Sequence, residues 1–325
     1  MKFIDGHCDV LWKLSENTTL EFVQTTQPRH SLQLTFEDMT LYNSYIQNFA
    51  IFHDPPNNEV NTFAKVQRSI DDFYERIIKR TDIQPILTSE NLQSVYHNNC
   101  RGALLSLESC DWLDEPEDQL LELYKRGVRI LSLTWNHSNW AADGVFGDMH
   151  QGVSKRGMEF FRQSQRLQMI IDVSHLSDQA FAQISAESTR PLIATHSNCR
   201  TICNHPRNLT DQQILQIIDN EGVIGLNFVP MFVAQVDADI PMFIRHIEHI
   251  MALGGSRHVA IGSDFDGIDR LITGIDHAGH MERLYNELQK HYSDRIVQQI
   301  LHENWFQFLL RQLPRDQSNS DMNII

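Results

Sequence analysis

Short apolar runs rich in Val, Ile and Leu recur along the chain, separated by stretches in which apolar residues return every three or four positions. The first pattern marks buried strands and the second amphipathic helices. Strands are expected at 3–9, 48–52, 102–108, 128–134, 168–175, 191–197, 222–228 and 258–265, with helix-like segments between them at 60–80, 118–127, 177–188, 210–222 and 240–255. Ser177 and Thr210, each followed at once by Asp, stand where helices should be N-capped, and Gly127, Gly222 and Gly254 where helices should stop. Eight such runs in one chain predict an α/β fold, the (β/α)8 TIM barrel. A doubly wound open sheet is the rival. It is disfavoured because no strand is followed by a G-x-G-x-x-G or G-x-x-x-x-G-K-[ST] loop. No Pro/Gly/Ser-rich linker divides the chain, so one catalytic domain is expected over 1–312, with a short C-terminal tail at 313–325.

Composition narrows the function. With 41% hydrophobic residues in 325, a sizeable core is affordable, and the formal net charge of −15 argues against a nucleic-acid partner. The chain shows neither a basic and apolar leader nor an apolar run long enough to span a membrane, so a cytoplasmic protein is expected. Five cysteines, few and odd in number, fit reduced thiols rather than a disulfide framework. Association into a homodimer stays open.

In a parallel barrel the C-terminal strand ends meet on one face, where catalytic residues collect from distant parts of the chain. The polar residues at those ends are His7 and Asp9 (strand one), Glu108 (three), His175 (five), His196 (six), and Asp264 with Asp266 (eight). Within DGHCD alone, strand alternation places His7 and Asp9 on one face and Cys8 on the other, and an edge strand with ordinary polar residues is the simpler reading. Ligand-type residues at five strand ends make a metal site the better one. Imidazole and carboxylate hold zinc at about 2.0–2.2 Å, and two metals about 3.5–4 Å apart often share a carboxylate. His7 and Asp9 suit one ion, His175 and His196 the other, Glu108 the bridge, and Asp264 a general acid/base.

The segments FIDGHCD, LSLES, IIDVSHLSD, ATHSNCR, HPRNLTD and IGSDFDG, in this order, resemble the membrane (renal) dipeptidase family of metallopeptidases, within the amidohydrolase-like metal-dependent hydrolases. The likeness runs from about Phe3 to the HENWFQFL segment. It implies a TIM barrel with two Zn2+ ions per chain, hydrolysing small dipeptides, some with a D-residue at the C-terminal position. By motif match the zinc ligands are His7, Asp9, Glu108 as bridge, His175 and His196; Arg207 holds substrate and Asp264 is the catalytic aspartate. Many family members carry a histidine after the strand-four Leu-Thr pair. Here Trp135 takes that place, and His137 is the substitute, with a role as a plain loop residue equally open. Other activities on the same frame are cleavage of N-acyl amino acids or small amides, or metal binding without catalysis. Cys199 as a nucleophile of a different hydrolase leaves the acidic residues unexplained. His277 and His280 are expected to be surface residues.

Overall fold

Nine parallel strands make one sheet in a computed structural model that describes residues 1–24, 32–53, 62–149 and 151–316. They are β1 (Lys2–Cys8), β2 (Ser44–Ile51), β3 (Gln84–Pro85), β4 (Arg101–Leu107), β5 (Val128–Ser132), β6 (Ile170–Asp172), β7 (Leu192–Ile193), β8 (Ile224–Leu226) and β9 (Val259–Ile261). The order is β7-β6-β5-β4-β2-β1-β9-β8. Further backbone bonds, Ala194 N to Val223 O (3.0 Å), Gly225 N to Ala194 O (2.8 Å) and Ser197 N to Gly225 O (2.7 Å), join its ends. Eight strands thus close into a barrel with helices in the crossovers, the expected (β/α)8 fold. The ninth, β3, had no apolar run to announce it. It pairs only with Gly102 and Ala103 at the foot of β4, below the point where β5 joins at Leu105.

Ile4, Ile46, Leu104, Ile130, Ile170, Ile193 and Ala260 belong to one cluster with Trp305 and Phe308 of the helix Asn304–Gln312. Seven strands contribute to it, which only the lumen of the barrel allows. Trp305 donates its indole N–H to Ile261 O at 2.8 Å, so the C-terminal helix plugs one end. A second, larger cluster fills the layer between the barrel and its outer helices. Gly225 of β8 and Gly262, just after β9, face the Thr195 carbonyl so closely that a Cβ at either would collide with it. Leu313 is buried with the lumen cluster, and Pro314 O accepts Ser89 N at 2.9 Å. The first residues of the expected tail therefore pack against the barrel, and 317–325 lie outside the described residues.

Ser177 and Thr210 cap helices Asp178–Glu187 and Asp211–Asp219 through their hydroxyls, Thr210 in a capping box with Gln213. Gly127 (φ +99°) and Gly254 (φ +95°) take the left-handed stop expected of them. Gly222 does not. Glu221 (φ +56°) makes that turn, and Gly222 is instead forced by close contact with the Leu192 carbonyl. The five cysteines are free, and no helix among the described residues is long and apolar enough to cross a membrane.

Candidate active site

The later strands are shorter than their apolar runs, because the chain turns out of the ladder before the chemistry begins. His175 and His196 each lie three residues beyond the last paired residue of β6 and β7, and Asp264 three beyond β9. His175 (φ +71°) and Asp264 (φ +65°) are left-handed, as is Ser109 (φ +79°), which follows Glu108. Non-glycine residues hold such backbone only when the surroundings impose it, and they concentrate at functional sites. β1 departs from simple alternation too: its register shifts between Asp5 and Cys8, and Asp9 stands at the N-cap of the helix Val10–Glu16. The outcome still has His7 and Asp9 together and Cys8 in the apolar core.

The structure brings all five expected ligands into one buried cluster. Glu108 is its centre, and its two oxygens face different partners. Oε2 lies 3.2 Å from His7 Nε2, whereas Oε1 lies 2.8 Å from His175 Nε2 and 3.6 Å from His196 Nε2. His7 Nε2 is 3.4 Å from Asp9 Oδ2. His7, Asp9 and Asp264 place one ligand atom each within 4.8 Å of one another, as do His7, Glu108 and His196. Asp264 is thus also within reach as a ligand.

Residues not singled out in the sequence hold the imidazoles. Asn136 Oδ1 lies 2.8 Å from His175 Nδ1, and Thr195 Oγ1 lies 2.7 Å from His196 Nδ1. Thr195 Oγ1 donates to Asp172 Oδ2 at 2.5 Å, and Asp172 also accepts from the Ser132 hydroxyl and from the Ser174 and Thr195 amides. Since Thr195 spends its proton on Asp172, His196 must donate through Nδ1, and an amide oxygen makes the same demand of His175. Both Nε2 atoms then present a lone pair inward, 2.7 Å apart. Asp172 and Thr195 were visible only as the leading letters of D-V-S-H and T-H-S. Thr195→Val is expected to weaken metal retention roughly 10- to 100-fold, as for loss of an outer-sphere partner. Chelator competition on folded protein checks this, and unchanged retention counts against the role.

A cavity of about 290 Å3 lies over the cluster, walled by Trp12, Phe52, Trp135 and Phe232. Arg207 enters it from the loop after β7, buried, donating to His175 Nε2 at 3.0 Å and to His196 O at 3.4 Å. Asp264 borders the cavity and is partly exposed. His137 is exposed, sits beside Trp135 with ring centroids 6.0 Å apart, and does not line the cavity. The backbone turns at this loop so that its neighbour Asn136, not His137, reaches inward. Asp266 anchors a loop instead, accepting from the amides of Gln33 (2.8 Å) and Leu34 (3.1 Å). His277 and His280 are half-buried, with Nδ1 3.0 Å from Asp38 Oδ1 and 3.2 Å from Asp276 Oδ2 respectively.

Burial governs the electrostatics. It opposes charge on His7, but Glu108 and Asp9 outweigh it and raise the imidazole well above its usual range. Burial and then the Arg207 charge lower His175 to about 4, and burial with His7 and His175 nearby holds His196 well below the usual imidazole range. Against burial, His7 and His175 hold Glu108 well below the ordinary carboxylate range. Burial pushes Asp264 up to about 8, with His7 opposing and Asp9 and Glu108 reinforcing.

Two unprotonated nitrogens and a carboxylate oxygen converge with no proton of their own to share, while buried Asp9 Oδ1 lacks a hydrogen-bond partner. Such a donor set fits divalent cations of the zinc type. Barrel and site together define a metal-dependent hydrolase. Residues 1–320 match the family model of the membrane dipeptidases, peptidase family M19. The chain belongs to that family of metallopeptidases and is a dipeptidase by membership. It is 34% identical over 235 residues, 69% of this chain and 86% of the relative, to a Klebsiella pneumoniae protein known as an uncharacterized protein in the pqqA 5′ region. It is 30% identical over 220 residues to dipeptidase verJ of Clonostachys rogersoniana, covering 66% and 56% of the two chains. The matched region spans about half the length of the fungal dipeptidases. A Rhodobacter sphaeroides metallopeptidase liganded with a phosphinate mimic of L-Ala-D-Ala shares the fold, with TM-score 0.84 and 22% identity over 96% of this chain and 99% of that one.

Proposed function

We propose that the protein hydrolyses free dipeptides, including those with a C-terminal D-residue, with two zinc ions held by His7, Asp9, Glu108, His175 and His196. The division of the Glu108 oxygens between His7 on one side and His175 with His196 on the other carries this reading, since a bridging carboxylate needs that arrangement. When bound, the ions activate a water as nucleophile and polarise the scissile carbonyl. Asp264 takes a proton at its carboxylate and passes it to the departing amine, a task suited to a carboxyl whose affinity for protons is raised by burial. The aromatic walls exclude bulk water and strengthen every charge interaction inside. Hydrolysis of L,L and L,D dipeptides by protein loaded with defined zinc, beside N-acyl amino acids, tests the proposal. Full activity in metal-free protein, or preference for the N-acyl compounds, overturns it.

Arg207 gives a reason for the short substrate. A buried guanidinium at the cavity wall pairs with a free α-carboxylate one residue past the scissile bond. Arg207→Ala is expected to weaken the reaction with dipeptides by roughly 2–5 kcal/mol, as for breaking a buried charge pair. Dipeptide amides, lacking that carboxylate, should react poorly with the native protein and lose little more in the variant. Kinetics on both substrates with both proteins close the cycle, and an equal loss on the amide rules the role out.

A further inference from the structure

A cleft of about 640 Å3 opens beside the catalytic cavity and shares Trp12, Val229, Gly267 and Ile268 with it. Gly267 keeps their common wall thin, because a Cβ there would run into Asp264 Oδ1 and Asp9 Oδ2. Beyond this wall the cleft is apolar and open. Six large apolar side chains are exposed among the described residues, and two of them, Met231 (62% exposed) and Val236 (77%), line this one cleft. Exposed apolar residues scattered singly need no explanation, but two in one concave site beside a catalytic cavity point to a ligand. The charges along it cancel: Lys13 and Arg270 stand against Asp237 and Asp269, with Lys13 and Asp269 3.7 Å apart. The surface favours an uncharged guest.

Orientation follows from the two ends of the site. Arg207 and Phe232 line the catalytic cavity but not the cleft, whereas the shared wall at Gly267 abuts Asp9 and Asp264. A dipeptide with its carboxylate on Arg207 turns its ammonium toward those two carboxylates. The side chain of its N-terminal residue then faces the shared wall. At about 290 Å3 the catalytic cavity lies at the small end of ligand sites, which run roughly 300–1,000 Å3. The cleft supplies the room it lacks.

We infer that this cleft is a subsite for a bulky, uncharged apolar side chain on the N-terminal residue of the substrate. The inference rests on the dipeptidase reading and adds a preference within it.

The test compares Trp-Gly, Ala-Gly and Gly-Trp on the zinc-loaded protein. Burial of an indole against the cleft should favour Trp-Gly over Ala-Gly by about tenfold or more in kcat/KM, chiefly through KM, at roughly 25 cal/mol per Å2 of apolar area. Gly-Trp, with its bulk at the other residue, should gain no such advantage. Met231→Asp and, separately, Val236→Asp should cut the Trp-Gly to Ala-Gly ratio severalfold without moving the Gly-Trp to Ala-Gly ratio, and Met231→Leu should retain the native preference. Both charged positions are exposed, so the variants are expected to fold. Equal rates on Trp-Gly and Ala-Gly overturn the inference and leave the dipeptidase reading standing. So does a variant that changes the oligomeric state by light scattering and leaves substrate preference intact, since the patch would then cover a second copy. Failure to hydrolyse any dipeptide overturns both.

Discussion

Glu108→Ala is expected to yield a folded protein that holds neither metal ion firmly and has lost nearly all turnover. Glu108 is the carboxylate that contacts both halves of the cluster, at 3.2 Å from His7 and 2.8 Å from His175. Its loss takes a negative oxygen from each half at once. Breaking a buried charged pair costs roughly 3–5 kcal/mol, so each ion should bind roughly 10²- to 10⁴-fold more weakly. Elemental analysis after dialysis, with circular dichroism as the check on folding, reads this directly. Native protein reconstituted with zinc should retain close to two equivalents per chain and lose activity to a chelator. A variant that keeps both ions and full activity would remove Glu108 from the centre of the site.

Much of this site was legible because strand-end chemistry obeys a positional rule, while its supports do not. His7, Glu108, His175, His196 and Asp264 each close an apolar run, so the contrast in polarity marks them. Asp172, by contrast, is the last residue of β6 and looks like one more polar end. That it holds Thr195, and through it His196, depends on the side-by-side pairing of β6 and β7. The loop after β5 hid its inward residue for the same reason. Loops carry no period from which to tell that Asn136 faces the site and His137 the solvent. Among the glycines, Gly127 and Gly254 answer to local helix-stop rules, but Gly222 answers to the Leu192 carbonyl of a neighbouring strand. Strand β3 had no signal because two residues at the foot of β4 bury too little to need an apolar run.

Asp264→Asn should separate binding from chemistry. The backbone at this position is left-handed, with φ +65°, and Asn is among the few residues that tolerate it. The amide is also nearly isosteric, so the turn that ties Asp264 N to His7 O at 3.2 Å should survive. What disappears is the ability to take up and release a proton. Loss of a positioned general acid/base costs roughly 10²- to 10⁴-fold in rate, and the fall should appear chiefly in kcat with the metal content little changed. The ionisation of Asp264 should vanish from the pH–rate profile as well. Asp266, two residues on, supplies the internal control. Its carboxylate is committed to the Gln33 and Leu34 amides, so Asp266→Asn should lower thermal stability and leave turnover nearly intact. If the two variants exchange these behaviours, Asp266 carries the proton and Asp264 the structure. If Asp264→Asn turns over at the native rate with its metals in place, proton transfer belongs to another group, and the carboxylate beside Asp9 serves only to hold a cation.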